Sequence, residues 1–452
     1  MTHFHIKDAR VIDPANNTDE RKDLFISNGV LTDKIAPSNA ADTHKIEADN
    51  LIACPGFTDL YARLREPGFT RKGTIASESK AALHAGFTRV FCAPDTHPAI
   101  DSTATVELIK QKANSAGGSQ VIPIGALTQG LAGEMLSEMA TLYNAGCPIM
   151  SNGDKPISDT GVLLSAMQYA ASFDIPILIN PIDPAIAGEG CAHDGAMATQ
   201  LGLPGIPVIA ETVALTRLIE MSRSTGCRIH LSRLSSARSI DLVRQAKAED
   251  LPITCDVGIH HLYFSDAQLS GFNVNYHSLV PFRSETDRDA LRLGIKDGTV
   301  DAICSDHAPH DNDAKLAPFP SSGAGLSAFD VFLPLLIGLP KLLDMPIGDV
   351  IAKVTSGPAQ VVYGLAESQV SSLHCPTGID QTGLVPGSVA DLVLIDLERS
   401  RDISAENFAS AGLNSPLVGV DNLQACSGEA TPIRGSVTHS FVAGSLILHL
   451  TT

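Results

Sequence analysis

Apolar and polar positions alternate in three different ways along the chain. Residues 4–53 read as short strands joined by turns. An apolar run at 6–12 precedes Asp13-Pro14-Ala15-Asn16-Asn17, and another at 23–26 precedes Ser27-Asn28-Gly29. From about 52 to 360 the pattern changes. Short apolar runs at 52–57, 88–93, 120–125, 148–150, 175–180, 228–231, 253–257 and 301–305 alternate with longer segments of helical period, such as 77–85, 162–172, 210–222 and 236–248. Eight such units over roughly 300 residues predict an α/β fold, a (β/α)8 barrel, although spacing alone also admits an open doubly wound sheet. Beyond 360 the chain returns to turns and short strands at 390–395, 435–442 and 445–450, after a polar stretch at 368–382 that reads as a loop insertion. Each end is short for an independent domain, so residues 1–53 and 361–452 are expected to pair into one small β-sandwich beside a barrel at 54–360.

Composition narrows the function classes. With 32 Lys+Arg against 50 Asp+Glu, the net charge is −18. That balance argues against nucleic acid, which needs clustered cations. Apolar residues make up 44% of 452, enough for a large core. The first residues lack an apolar leader segment, and no apolar run reaches the length of a membrane span. The nine Cys are scattered without CxxC pairs, and Cys92, Cys255 and Cys304 fall in strand-like runs as buried thiols. A cytoplasmic protein is expected. The 15 His could supply a metal site, and their placement decides whether they do.

In a (β/α)8 barrel, functional groups lie just beyond the strand C-termini. Those positions hold residues 59–65, Asp95, Asn152-Gly153-Asp154, Asn180, Arg233, His260-His261 and Asp306-His307. The segment Pro55-Gly56-Phe57-Thr58-Asp59-Leu60-Tyr61-Ala62-Arg63-Leu64-Arg65-Glu66-Pro67-Gly68 resembles the PGFIDxHxHxREPG signature of dihydroorotases. Ala93-Pro94-Asp95-Thr96, Gly258-Ile259-His260-His261-Leu262, Asp306-His307-Ala308-Pro309-His310 and Pro386-Gly387-Ser388-Val389-Ala390-Asp391 resemble further family motifs in the same register. The chain is thus similar to dihydroorotases of the amidohydrolase superfamily along nearly its whole length.

The departures matter more than the matches. The resemblance implies a binuclear zinc site, yet its ligand positions fall on Tyr61, Arg63, Asn180 and Arg233, with Asp306 the one clear survivor. Zn²⁺ takes about four N, S or O ligands. Arg is permanently protonated and has no lone pair to give. No cofactor is therefore expected, and without the ion there is no metal-bound hydroxide for amide hydrolysis. Asp306 is expected to be a structural remnant, ion-paired with Arg63 and Arg233, which would supply the charge the zinc supplied. On the substrate side the resemblance marks Arg65, Asp95 and His310, but Asp95 stands where the family has Asn and would repel a carboxylate. Arg65 is expected to hold Glu66 or Asp95. His260, His261, His307 and His310 read as hydrogen-bonded mouth histidines, His193 and His230 as capping or packing groups, and Cys191 and Cys227 as inert thiols.

The resemblance is closest to inactive dihydroorotase-like homologues that assemble with catalytic chains of aspartate transcarbamoylase in pyrimidine biosynthesis. A structural or regulatory partner, itself a homo-oligomer, is the leading expectation. The alternative is an active cyclic amidohydrolase (dihydroorotase, hydantoinase or allantoinase class) with an atypical site, and a third reading is a metal-free anion sensor using Arg63, Arg65 and Arg233.

Overall fold

Gly56 divides the first apolar run in two. The computed structural model describes residues 2–35, 42–364, 383–420, 422–424 and 430–449, so the stretch at 368–382 lies outside the described residues. The run expected as one barrel strand at 52–57 is two strands with different partners. Ile52–Pro55 belongs to the terminal sheet, and Phe57–Ala62 opens the barrel. The cause is local. A Cβ at Gly56 would collide with the Thr88 side chain, so only glycine lets the backbone cross there from one sheet to the other.

The barrel strands are Phe57–Ala62, Phe87–Cys92, Gln120–Pro123 continuing through Gly125–Ala126, Met150–Ser151, Ile177–Ile179, Ile229–Leu231, Ile253–Gly258 and Ala302–Cys304. All pair in parallel. The ring closes where the Arg63 amide donates to the His307 carbonyl at 2.9 Å, beside a parallel bridge between Ala62 and His307. Phe57–Ala62 and Phe87–Cys92 are buried at every position, as strands covered on both faces must be. The intervening helices start where side chains can satisfy free amides. Thr74 caps Ile75–His84, Asp159 caps Thr160–Ser172 and Ser236 caps Ala237–Ala248. The apolar helix Phe329–Leu343 packs Phe332 on Phe87 at 4.5 Å between ring centroids.

The two chain ends build one eight-stranded sheet. Ile52–Pro55 is its keystone, parallel to His3–Asp13 on one side and antiparallel to Leu392–Ser400 on the other. Phe4 and Phe441 lie three strands apart in the sheet order, yet their rings meet edge to face at 5.0 Å. In a flat sheet, spacings of about 4.8 Å per strand would keep them well apart. The sheet therefore curls over a shared core containing Ile6, Val11, Ile26, Leu392 and Leu394, which bears out the expected terminal β domain. The ion pair of Arg89, on the second barrel strand, with Asp391 ties this domain to the barrel floor. Among the described residues no helix is long and apolar enough to cross a membrane.

Phe441 is fully buried. Phe441→Ala should cost about 3–5 kcal/mol, the usual range for emptying a core aromatic site. The urea midpoint reports the loss, and a shift worth under about 1 kcal/mol would mean that the curl does not hold the domain together.

Candidate functional site

Side chains from five strand ends converge at the barrel mouth. Arg63 follows the first strand, Asp95 the second, Asp154 the fourth, Arg233 the sixth and Asp306 the eighth. Arg233 and Asp306 have φ of 59° and 48°. Left-handed backbone at a non-glycine residue is strained, and here it marks the two residues that meet at the centre. Arg233 Nη1 donates to Asp306 Oδ1 at 3.0 Å, and Nη2 to Asp154 Oδ1 at 2.5 Å. Arg63 Nε donates to Asp95 Oδ2 at 3.0 Å, one Nη reaches Asp154, and the other lies 3.5 Å from Asp306 Oδ1. Both guanidinium groups sit over the Tyr61 ring, their Cζ atoms 4.2 Å (Arg233) and 5.2 Å (Arg63) from its centroid. The expected pairing of the two arginines with Asp306 is therefore present.

A second layer holds the first. Asp256 accepts from the Arg233 amide at 2.5 Å, from Ser232, and from His230 at 2.9 Å, so His230, a buried packing group on its strand, also orients a carboxylate. Burial pulls the Asp306 carboxyl up, but Arg233 and Arg63 outweigh it and hold it below the ordinary carboxylate range. Deeper in the barrel, burial outweighs the bonds from Ser305 and pushes Asp59 up to about 7. Burial takes His260 down to about 3 and lowers His261, so both are neutral at physiological pH. His261 donates through Nε2 to the Val280 carbonyl at 3.1 Å, while His260 Nε2 and His261 Nδ1 have no hydrogen-bond partner among the described residues.

Other expectations need correction. Arg65 holds neither Glu66 nor Asp95. Its Nε donates to the Pro309 carbonyl at 2.9 Å and one Nη contacts His310 Nε2 at 3.2 Å, because Asp95 is taken by Arg63 and Glu66 by Lys112 and the Ile75 amide. Asn180 makes no hydrogen bond to the cluster among the described residues and lines a separate small cavity with Asn152, Pro156 and Arg217. His307 is more than a mouth histidine. Its Nδ1 accepts from the Ala328 amide at 3.0 Å, so Nε2 carries the proton and donates to Glu78 at 2.8 Å. Glu78 also accepts from Ser410 and the Ala411 amide, and Asn414 bonds His310 N, Ala308 O and Gly325 O. This strap draws the C-terminal segment onto the loop that carries Asp306.

Sequence reasoning passed over Asp154, noticed only as part of an altered motif. The available signal was charge, since two buried arginines need more than one carboxylate. Glu78 and Asn414 gave no such signal, because their partners are distant in sequence.

A divalent cation does not fit this donor set. Two guanidinium groups, 7% and 0% exposed as side chains, fill the space between the carboxylates. Among the described residues no group of three or more His, Cys, Asp or Glu is arranged to hold a metal. Among the described residues, burial raises the thiols of Cys191, Cys227, Cys255 and Cys304, which disfavours the reactive thiolate.

Because the folded state lowers the Asp306 pKa, the stabilisation from its ion pairs is complete above the unfolded value of about 3.9 and is lost as pH falls below it. Asp306→Ala should cost roughly 3 kcal/mol at pH 7 and make stability less steep in acid than in the parent. Urea titrations from pH 7 to 3 test this, and parallel curves for the two proteins would remove Asp306 as an acid-linked group.

The family described as "Dihydro-orotase-like" matches residues 50–239. A dihydroorotase-like protein of Pseudomonas aeruginosa is 42% identical over 417 residues, covering 92% of this chain and 94% of that protein. A dihydroorotase of Syntrophotalea carbinolica is 34% identical over 411 residues, covering 92% and 93%. L-hydantoinase (dihydropyrimidinase) from Arthrobacter aurescens superposes with a TM-score of 0.79 over 99% of this chain and 96% of its own at 18% identity, a likeness of fold. On this extent of similarity, the chain belongs to the dihydroorotase-like family.

Proposed function

We propose that this chain is a catalytically silent member of the family, free of zinc, that serves in the cytoplasm as a structural or regulatory partner of aspartate transcarbamoylase catalytic chains in pyrimidine biosynthesis. The observation that carries the silent half is the pairing of Arg63 and Arg233 with Asp306, Asp154 and Asp95. Every one of those contacts uses a charge or a lone pair that a hydrolytic site needs free. The order of exposure supports the same reading. The carboxylates of Asp95, Asp154 and Asp306 are 29%, 17% and 12% exposed, whereas the arginines lie beneath them. An incoming carboxylated substrate would meet like charge first.

The partner half rests on the resemblance to inactive homologues and on a fold kept whole around the altered site. A scaffold needs its core and its outer surface, and this chain keeps one continuous core from the first barrel strand to the last.

Two measurements test the halves separately. Purified protein is expected to hold less than about 0.1 metal ion per chain and to leave dihydroorotate intact. Stoichiometric zinc with turnover abolished by Asp306→Ala would establish instead the active cyclic amidohydrolase. Co-expression with the transcarbamoylase of the same organism should yield a stable complex at micromolar concentration or tighter. A transcarbamoylase that assembles and works fully without this chain would remove the partner role.

A further inference from the structure

We infer that the cation of this barrel mouth is built into the chain, with the Arg63 and Arg233 guanidinium groups permanently performing the charge balance and cross-linking that a bound dication performs in a mouth of this kind. The inference rests on the metal-free reading above but not on the partner reading. It starts from the misfit between donor set and ion. Three carboxylates from different strand ends, Asp95, Asp154 and Asp306, share two cationic groups. Asp154 and Asp306 each touch both arginines, so each guanidinium bridges strand ends as a shared ion would.

Three further observations separate this from ordinary surface pairing. The Arg233 side chain is wholly buried, so its charge has no water to fall back on. The Tyr61 ring beneath it offers a π face, which suits a planar cation and gives no ligand to a metal. The Arg233 backbone is held in a left-handed conformation by the short bond from its amide to Asp256, itself secured by His230 and Ser232. The chain accepts local strain to place this one cation, as an active site accepts strain to place a catalytic group.

A pocket shaped for a guanidinium group should accept a free one when the side chain is cut away. Arg233→Ala and, as the less buried choice, Arg63→Ala are each expected to lower Tm by about 5–15 °C. About 20 mM guanidinium chloride should then raise the variant's Tm by a few degrees, while equal NaCl does not and the parent's Tm stays level or falls slightly. A Tm within about 1 °C of the parent after either truncation would overturn the inference, as would identical responses to guanidinium and NaCl. If neither variant folds, the unaltered protein decides. Its Tm should be indifferent to chelator and to added Zn²⁺ or Mn²⁺. A chelator-induced fall, or a metal that raises Tm, would place the cation outside the chain. These readouts concern stability alone, so a chain that never binds a transcarbamoylase could still pass, and a proven partner could still fail.

Discussion

A carboxylate at the throat of a barrel needs a positive charge within reach, and Arg233 meets that need for Asp306. Around this contact the rest of the mouth is organised. Asp154 fills the second edge of the same guanidinium group, Arg63 bridges onward to Asp95, and Tyr61 underlies both cations. Removing any one charge from such a lattice leaves another buried and uncompensated, which costs far more than an exposed pair could contribute. The lattice is therefore an all-or-none arrangement. That explains how two arginines and three carboxylates, distant from one another in sequence, are kept together at one barrel mouth.

How much of this was legible in the sequence depended on the range of each interaction. The barrel was readable because its signal is periodic and local, and the helices at 160–172 and 237–248 fall within two residues of their expected limits. The pairing of Arg63 and Arg233 with Asp306 could be foreseen because the resemblance sets both arginines at positions facing that carboxylate, and a buried charge needs a counterion. What escaped was set by chain geometry. One run of apolar residues became two strands because Gly56 passes against Thr88, a contact between positions 32 residues apart that no local pattern encodes. Arg65 found a carbonyl and an imidazole rather than a carboxylate because the nearer acids were already engaged. Competition among partners is a property of the folded whole.

The strap over the mouth adds a second hub. Glu78 gathers His307, Ser410 and the Ala411 amide, and Asp330 accepts from the Ala409 and Ser410 amides. Burial opposes the Glu78 charge, but the bonds from His307, Ser410 and Ser77 keep it ionised. The residues beside Asp306 are thus fastened to the first helix, the last barrel loop and the C-terminal segment at once. Such fastening opposes the loop mobility on which substrate entry and product release commonly depend.

The keystone strand of the terminal sheet has a consequence for the order in which the molecule is made. Ile52–Pro55 lies between strands from the two ends of the chain, and its antiparallel neighbour begins at Leu392. On a ribosome adding about 5–20 residues per second, the early strands wait roughly 20–70 s for that neighbour, while every barrel unit emerges between them. Until then the apolar faces around Ile6, Val11 and Ile26 have no closed core to enter. This domain begins before the barrel is made and closes only after it, so its stability during synthesis depends on what shields those faces in the interval.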